Sequence, residues 1–569
     1  MIARAQSATL IGVEARLIEV EVELTQGLPY FAIIGLGDAA VQEAKYRIQA
    51  ALRSCDIDLP HKRVTINLAP AALRKDGASL DLPMTMGLLI ALGIVKSSQM
   101  ESCLTLGELS LSGRLRPVRG VLPTATLARK LGLRRILVPF ENAAEAQALA
   151  PLETLAAASL KEVLRLVTDE TGKRGKRGAA SAIEDAPATQ DERRHRSLDH
   201  SPDHSPDRSL DHSLDHSFDH SLDHSLDHSP EPPLSSARAS SAPSAASSLD
   251  MGDVRGQAIA KRAMEVAAAG GHNILLVGSP GAGKTMLARR LPSILPALSV
   301  EEQIEVTSIW SAAGLTLGGP GLLYTRPFRA PHHSISSAGL IGGGSSIRPG
   351  EISLAHRGVL FLDEMPELPR RVLESLRQPL EDQRVVLSRA RESVAFPADF
   401  MLVGAANPCP CGWLGHPSGR CACPEESIRR YGARVSGALL DRIDIVLTIP
   451  SLTSSELLDE GAAGELDTAP RASSIQIRAR VVEARALALA RSGHLNARLR
   501  GRELKRNAAV NDEARDLLRR AIDQLQLSAR SLERTIRVAR TIADLNGQSK
   551  IHAQEIAEAL QYRARPAHI

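Results

Sequence analysis

Aromatic residues make up only 2% of this 569-residue chain, with two tryptophans, five tyrosines and seven phenylalanines. That scarcity argues against reading nucleic acid by stacking bases on successive rings. Cysteine is equally sparse: four of six lie between Cys409 and Cys423, and Cys55 and Cys103 are far from that cluster. A disulfide framework is excluded, and reduced thiols are expected. No run reaches the ~18 apolar residues of a membrane helix. The opening "MIARAQSATLIGVEARLIEVEVEL" alternates acids with apolar residues and lacks the apolar core of a signal peptide. A cytoplasmic location and no membrane partner are therefore expected. Net charge is +4, too small to require a polyanionic partner, although local charge can still serve one. What remains is a globular composition, 43% hydrophobic and 24% charged, over a length that divides into roughly three or four folding units.

The first division is compositional. From Asp169 to about Asp250 the chain turns to Ser, Asp, His, Pro and Arg, with the tetrad SLDH and its variants repeated. Bulky apolar residues are too few there to offset the entropy of ordering, so residues 169–249 are expected to form a disordered linker. It separates a front domain, 1–168, from an ATPase core, 250–450, and a C-terminal helical lid, 451–569. The front domain reads as α/β, with strands in "ARLIEVEVEL", "RVTINLAP" and "RRILVPF" and a helix in "AAVQEAKYRIQAALRSC". Its passages "RKDGASLDLP" and "GELSLSGRLRPVRGVLPTA" resemble the proteolytic domain of Lon proteases, whose fold is shared with ribosomal protein S5. Ser79 falls at the nucleophile position, but Leu122 occupies the position of the activating lysine. A hydrocarbon cannot accept a proton, so a Lon-like fold without peptidase activity is expected.

The back portion carries the chemistry. An apolar strand runs into Gly278, Ser279, Pro280, Gly281, Ala282, Gly283, Lys284 and Thr285 and then into a helix. This is the phosphate-binding loop G-x-x-x-x-G-K-[ST] in its proper context. Backbone N–H groups would cradle the phosphates of ATP, Lys284 would offset their charge, and the Thr285 hydroxyl would ligate Mg²⁺. Downstream, "GVLFLDE" ends in Asp363, expected on Mg²⁺, and Glu364, expected to polarise the attacking water. "FMLVGAANP" brings Asn407 to a strand end, the sensor-1 position of the AAA+ superfamily. "SGALLDRIDI" places Arg442 in a setting similar to the arginine finger of replicative helicases. Arg530, at the start of "ARSLERTIRVARTIADL", matches a second sensor. An arginine acting on a neighbour's nucleotide implies a ring, expected to be a homo-hexamer.

Two stretches look like additions to that engine. "RPFRAPHHSISSAGLIGGGSSIRPGE", Arg326 to Glu351, includes His332 and His333 and reads as too polar for core. "EDQRVVLSRARESVAFP" reads as a β-hairpin with Arg389 and Arg391 at its tip, suited to a nucleic-acid backbone. Residues 471–510 hold ten Arg or Lys against two Glu and are expected to form a basic surface, a second DNA contact. Finally, "NPCPCGWLGHPSGRCAC" supplies Cys409, Cys411, Cys421 and Cys423, which can surround one structural Zn²⁺, although Cys-x-Cys departs from the usual spacing.

Jointly, "AKRAMEVAAAGGHNILLVGSPGAGKTMLARR", "FRAPHHSIS", "GVLFLDEMPEL", "NPCPCG" and "LLDRID" resemble the ComM/YifB family of magnesium-chelatase-like AAA+ ATPases. The resemblance implies an ATP-dependent hexameric helicase that migrates branched DNA junctions, single- and double-stranded, during natural transformation and homologous recombination, with recombination proteins as partners. The rival reading is a chelatase-type motor that remodels a protein partner.

Overall fold

The computed structural model describes residues 2–168 and 249–563, apart from residues 76, 150, 320, 345–346, 390–391 and 452–471. The expected linker lies outside the described residues, apart from its last residue, 249. Among the described residues, no helix is long and apolar enough to cross a membrane.

The ATPase core is built on five parallel strands in the order Phe328–Arg329, Val359–Leu362, Met401–Ala406, Ile274–Gly278 and Ile445–Ile449. Every residue of the three central strands is buried, which is why they read as continuous apolar runs rather than alternating ones. Parallel strands put all their C-terminal ends on one edge, where an open α/β sheet binds its ligands.

The front domain holds a seven-stranded mixed sheet, with Glu14–Thr25 paired antiparallel between Ile2–Ile11 and Arg63–Ala69. Ile18, Val20 and Val22 point into its core while Glu19, Glu21 and Glu23 alternate outward, the period of a strand with one face covered. Leu122 is fully buried in an apolar cluster. Its backbone N–H, however, donates to the buried Glu145 carboxylate at 2.7 Å. The same carboxylate accepts from Ser311 and Thr316 of the ATPase core, and Gly120 N–H donates to Ser311 O at 3.1 Å. The segment around Leu122 is thus a joint to the helix Val300–Ala313.

The stretch Arg326–Glu351 differs from the sequence expectation. It opens with Phe328–Arg329, the edge strand of the ATPase sheet, and its Leu340 is fully buried. A two-residue strand is too short to show periodicity, so polarity averaged over the stretch conceals its apolar anchors.

The basic stretch differs in its first part, while Arg500, Arg502, Lys505 and Arg506 are exposed. Ser474–Ser492 is a helix, as expected, but its arginines are turned to internal acceptors. Arg478 donates to Ser293 O, Arg480 to Glu265, Arg485 to Ala268 O and Arg491 to Asp544. Farther along, Arg498 pairs with Asp399. Charge counted along the chain ignores acceptors supplied from elsewhere, so the helix arginines buttress the core, whereas the basic residues that follow Leu499 are left exposed.

The hairpin forms in the expected register, Arg384–Arg389 against Glu392–Pro397, with Val385 opposite Phe396. Val385, Val394 and Phe396 at its base are buried, with Ile11 and Val13 of the front domain packed against the same core. Gly12, at φ +66°, permits this approach: a Cβ there would fall 2.4 Å from Val394 Cγ1. Arg389 ends the first strand, paired in the backbone with Glu392. Arg391 lies outside the described residues.

Candidate nucleotide site

The strand Ile274–Gly278 ends in the phosphate loop, which delivers Lys284 to the first turn of the helix Lys284–Ile294. Gly281 and Gly283 adopt φ of +81° and +88°, a left-handed conformation that residues with a Cβ rarely adopt. The loop thereby sets free N–H groups at the positive end of a helix. Lys284 Nζ donates to Gly278 O at 2.6 Å, to Ser279 O at 3.0 Å and to Asn407 Oδ1 at 3.0 Å. Burial pushes its ammonium below the usual lysine range, and the charges of Asp363 and Glu364 oppose that shift.

The second edge element arrives from the strand Val359–Leu362. Thr285 Oγ1 donates to Asp363 Oδ2 at 2.8 Å, bringing together two hard oxygen donors of the kind Mg²⁺ prefers. Glu364 follows in left-handed backbone at φ +47°, directed away from the run of the strand. His333 Nδ1 lies 3.8 Å from Glu364 Oε2. The His333 ring packs against His332 at 4.0 Å between centroids, and His332 Nδ1 is fixed by Ser334. Both histidines therefore stand beside the acid pair, a placement that the motif order alone did not reveal. Sequence reasoning also missed Tyr431. Buried on the helix Glu425–Gly432, its phenol is pushed up to about 12 by burial, next by the charge of Glu367, while a hydrogen bond to the Asn407 backbone opposes. A lone tyrosine outside any motif leaves no sequence signal.

The two candidate arginines are not with this group. Arg442 and Arg530 line a cleft of about 880 Å³ whose walls include Asn273, Gly358 and Met401. Those residues are at the starts of the parallel strands, whereas Lys284, Asp363, Glu364 and Asn407 follow their ends. At ~3.3 Å per residue, the five residues of Ile274–Gly278 put some 16 Å of strand between the two groups. Arg442 is drawn in, donating to Ala438 O at 2.5 Å and to Glu381. Arg530 is 78% exposed, with Asp441 3.9 Å away.

The four cysteines come together next to the nucleotide edge. Their Sγ atoms all lie within 4.8 Å of one another, a set that fits a metal ion. The Trp413 backbone N–H, with smaller contributions from neighbouring thiols, draws the Cys411 thiol down to about 7.

Comparison with known proteins places this geometry. Residues 250–457 match the family described as magnesium chelatase, subunit ChlI; residues 20–142 match subunit ChlI of Mg-chelatase; and residues 471–563 match the ChlI C-terminal family. Competence protein ComM of Haemophilus influenzae is 37% identical over 558 residues, covering 98% of this chain and 96% of ComM. The chain belongs to the ComM/YifB family of magnesium-chelatase-like proteins. YifB of Salmonella typhimurium is 38% identical over 558 residues, 97% of this chain and 95% of YifB. By contrast, the magnesium-chelatase 38 kDa subunit of Cereibacter sphaeroides is 28% identical over 169 residues, 27% of this chain and 51% of that subunit. The ComM/YifB family carries an AAA+ core, which implies ATP and Mg²⁺. The glycine loop, Lys284 and the Thr285–Asp363 pair fit both.

Proposed function

We propose that this ComM/YifB-family protein is an ATP-driven DNA helicase, a homo-hexameric ring that migrates branched junctions of single- and double-stranded DNA during natural transformation and homologous recombination. Its units would be the front domain 1–168, the linker 169–249, the ATPase core 250–450 and the lid 451–569. The observation that carries this reading is the division of the site, with the phosphate-binding and acidic residues at one edge of the sheet and Arg442 and Arg530 at the other. Neither arginine can serve its own chain's nucleotide across the sheet, so each would act on a neighbour's, and a closed ring supplies every site with both halves.

In that ring the loop N–H groups and Lys284 would hold the phosphates, and Thr285 and Asp363 would hold Mg²⁺, which would offset phosphate charge. Glu364 takes a proton from the attacking water, Asn407 orients that water, and the neighbour's arginines stabilise charge in the transition state. The likeness to a competence protein over nearly the whole chain favours DNA over the protein partner of a chelatase motor. The hairpin Arg384–Pro397, Arg391 and the His332–His333 loop would contact the DNA backbone, and recombination proteins would act alongside.

The test is junction migration by the purified chain on labelled four-way and forked DNA with ATP. ATP-dependent resolution, absent in Glu364→Gln, is expected. ATPase activity without any strand displacement would point instead to the chelatase-type motor.

A further inference from the structure

The cysteine knuckle touches the nucleotide site. Cys409 is fully buried two residues beyond Asn407. Gly412 closes the first turn, its N–H donating to Cys409 O at 2.9 Å. A Cβ at Gly412, which sits at φ +81°, would fall 2.6 Å from Pro280 Cδ and 3.8 Å from Asn407 Cγ. The backbone after the first cysteine pair is therefore pressed against both the phosphate loop and the sensor-1 residue.

Packing within this segment is local: the Trp413 ring meets His416 edge-on at 4.8 Å between centroids, and Arg420 lies over the same ring at 5.4 Å. Between Cys409 and Ile428 no side chain joins a hydrophobic core. The thiols are what converge. Cys409 Sγ lies 3.3 Å from Cys411 Sγ and 3.7 Å from Cys421 Sγ, and Cys411 lies 3.7 Å from Cys421. A disulfide would need about 2.05 Å, and all four cysteines are free. Four thiolates at ~2.3 Å from one tetrahedral Zn²⁺ stand about 3.8 Å apart, close to the spacing found here.

We propose that Cys409, Cys411, Cys421 and Cys423 bind one zinc-class divalent cation, and that the metal-bound knuckle is a strut of the nucleotide site, fixing Pro280 and Asn407 relative to each other. Soft thiolates separate this ion from the Mg²⁺ suited to the hard oxygens of Thr285 and Asp363. With four protein ligands, the ion has no open position for chemistry, so its effect passes through the Gly412 contact. The inference rests on reading Gly278 to Thr285 as the phosphate loop.

Linkage supplies the test: if metal and nucleotide favour the same knuckle position, each tightens the other by the same factor. Metal content of the reduced, full-length wild type, measured by plasma mass spectrometry, should be one zinc per chain. Chelator titration of that protein, with and without a fluorescent ADP analogue, should show zinc held roughly fivefold or more tighter when nucleotide is bound. Cys421→Ser/Cys423→Ser should lose zinc and weaken ADP-analogue binding by a comparable factor. Gly412→Ala should keep its zinc and still bind the analogue more weakly. Absence of metal from the reduced protein, or zinc retention indifferent to nucleotide, overturns the proposal. Lys284→Ala serves as the separate control. If it binds the analogue as wild type does, the phosphate-loop reading fails; if it weakens binding while zinc removal does not, the strut alone fails.

Discussion

At the scale of single residues, the proposed nucleotide chemistry is tested at Lys284, Glu364 and His333. Lys284→Ala removes the cation buried against the loop, and nucleotide binding should weaken by roughly 10- to 100-fold, the range for removing a hydrogen bond to charge. Glu364→Gln keeps the cradle and removes the base; ATP should still bind while turnover falls by about 100-fold or more. Equilibrium binding and steady-state hydrolysis, measured on both variants, separate these effects. His333 Nδ1 stands 3.8 Å from the Glu364 carboxylate, the proposed acceptor of the water's proton, and would compete for it. His333→Ala should raise DNA-free turnover roughly two- to fivefold with KM for ATP unchanged, the size a weak, half-exposed polar contact carries. Unchanged turnover would mean that the 3.8 Å approach has no kinetic weight. Ser79→Ala should alter neither ATP hydrolysis nor DNA handling, and wild type should not degrade casein, because Leu122 is buried hydrocarbon where a general base would be needed. Casein cleavage that disappears in Ser79→Ala would refute this.

At the scale of elements, strands and loops were legible because local rules govern them. An apolar run followed by G-x-x-x-x-G-K-[ST] reads as a buried strand entering a phosphate-binding turn, and alternation in Glu14–Thr25 fixed one covered face. What escaped the sequence depends on partners far along the chain. Arg480 and Arg491 look like free charge until Glu265 and Asp544 are seen beside them, and His333 reads as loop until it is found next to Glu364. The hairpin was legible from its alternation, but its seat against Ile11 and Val13 of the front domain was not. Its proposed grip on DNA is tested with Arg389→Ala/Arg391→Ala. DNA-free hydrolysis should persist while junction migration and DNA stimulation fall together. The slope of log affinity on log salt, measured on a fixed junction, should become shallower by up to ~0.9 for each duplex phosphate that the variant no longer neutralises. Identical slopes with intact migration would remove the hairpin from the DNA path.

At the scale of the whole molecule, the front domain and ATPase core share the Glu145 joint, through which Leu122, Ser311 and Thr316 meet one buried carboxylate. The larger consequence concerns assembly. Lys284 and Glu364 follow the strand ends of the parallel sheet, whereas Arg442 and Arg530 line a cleft at its strand starts, so under the proposed roles a nucleotide site would take its parts from two chains. The most direct measurement mixes two inactive variants, Arg442→Ala and Glu364→Gln, and follows ATP hydrolysis across mixing ratios. A site that takes Glu364 from the first and Arg442 from the second is intact, and random assembly at equal amounts makes about one interface in four of that kind. Partial recovery of turnover, greatest near equal mixing, is the predicted result. Mixtures that stay as inactive as their components at every ratio, in protein shown to exchange subunits, would contradict it.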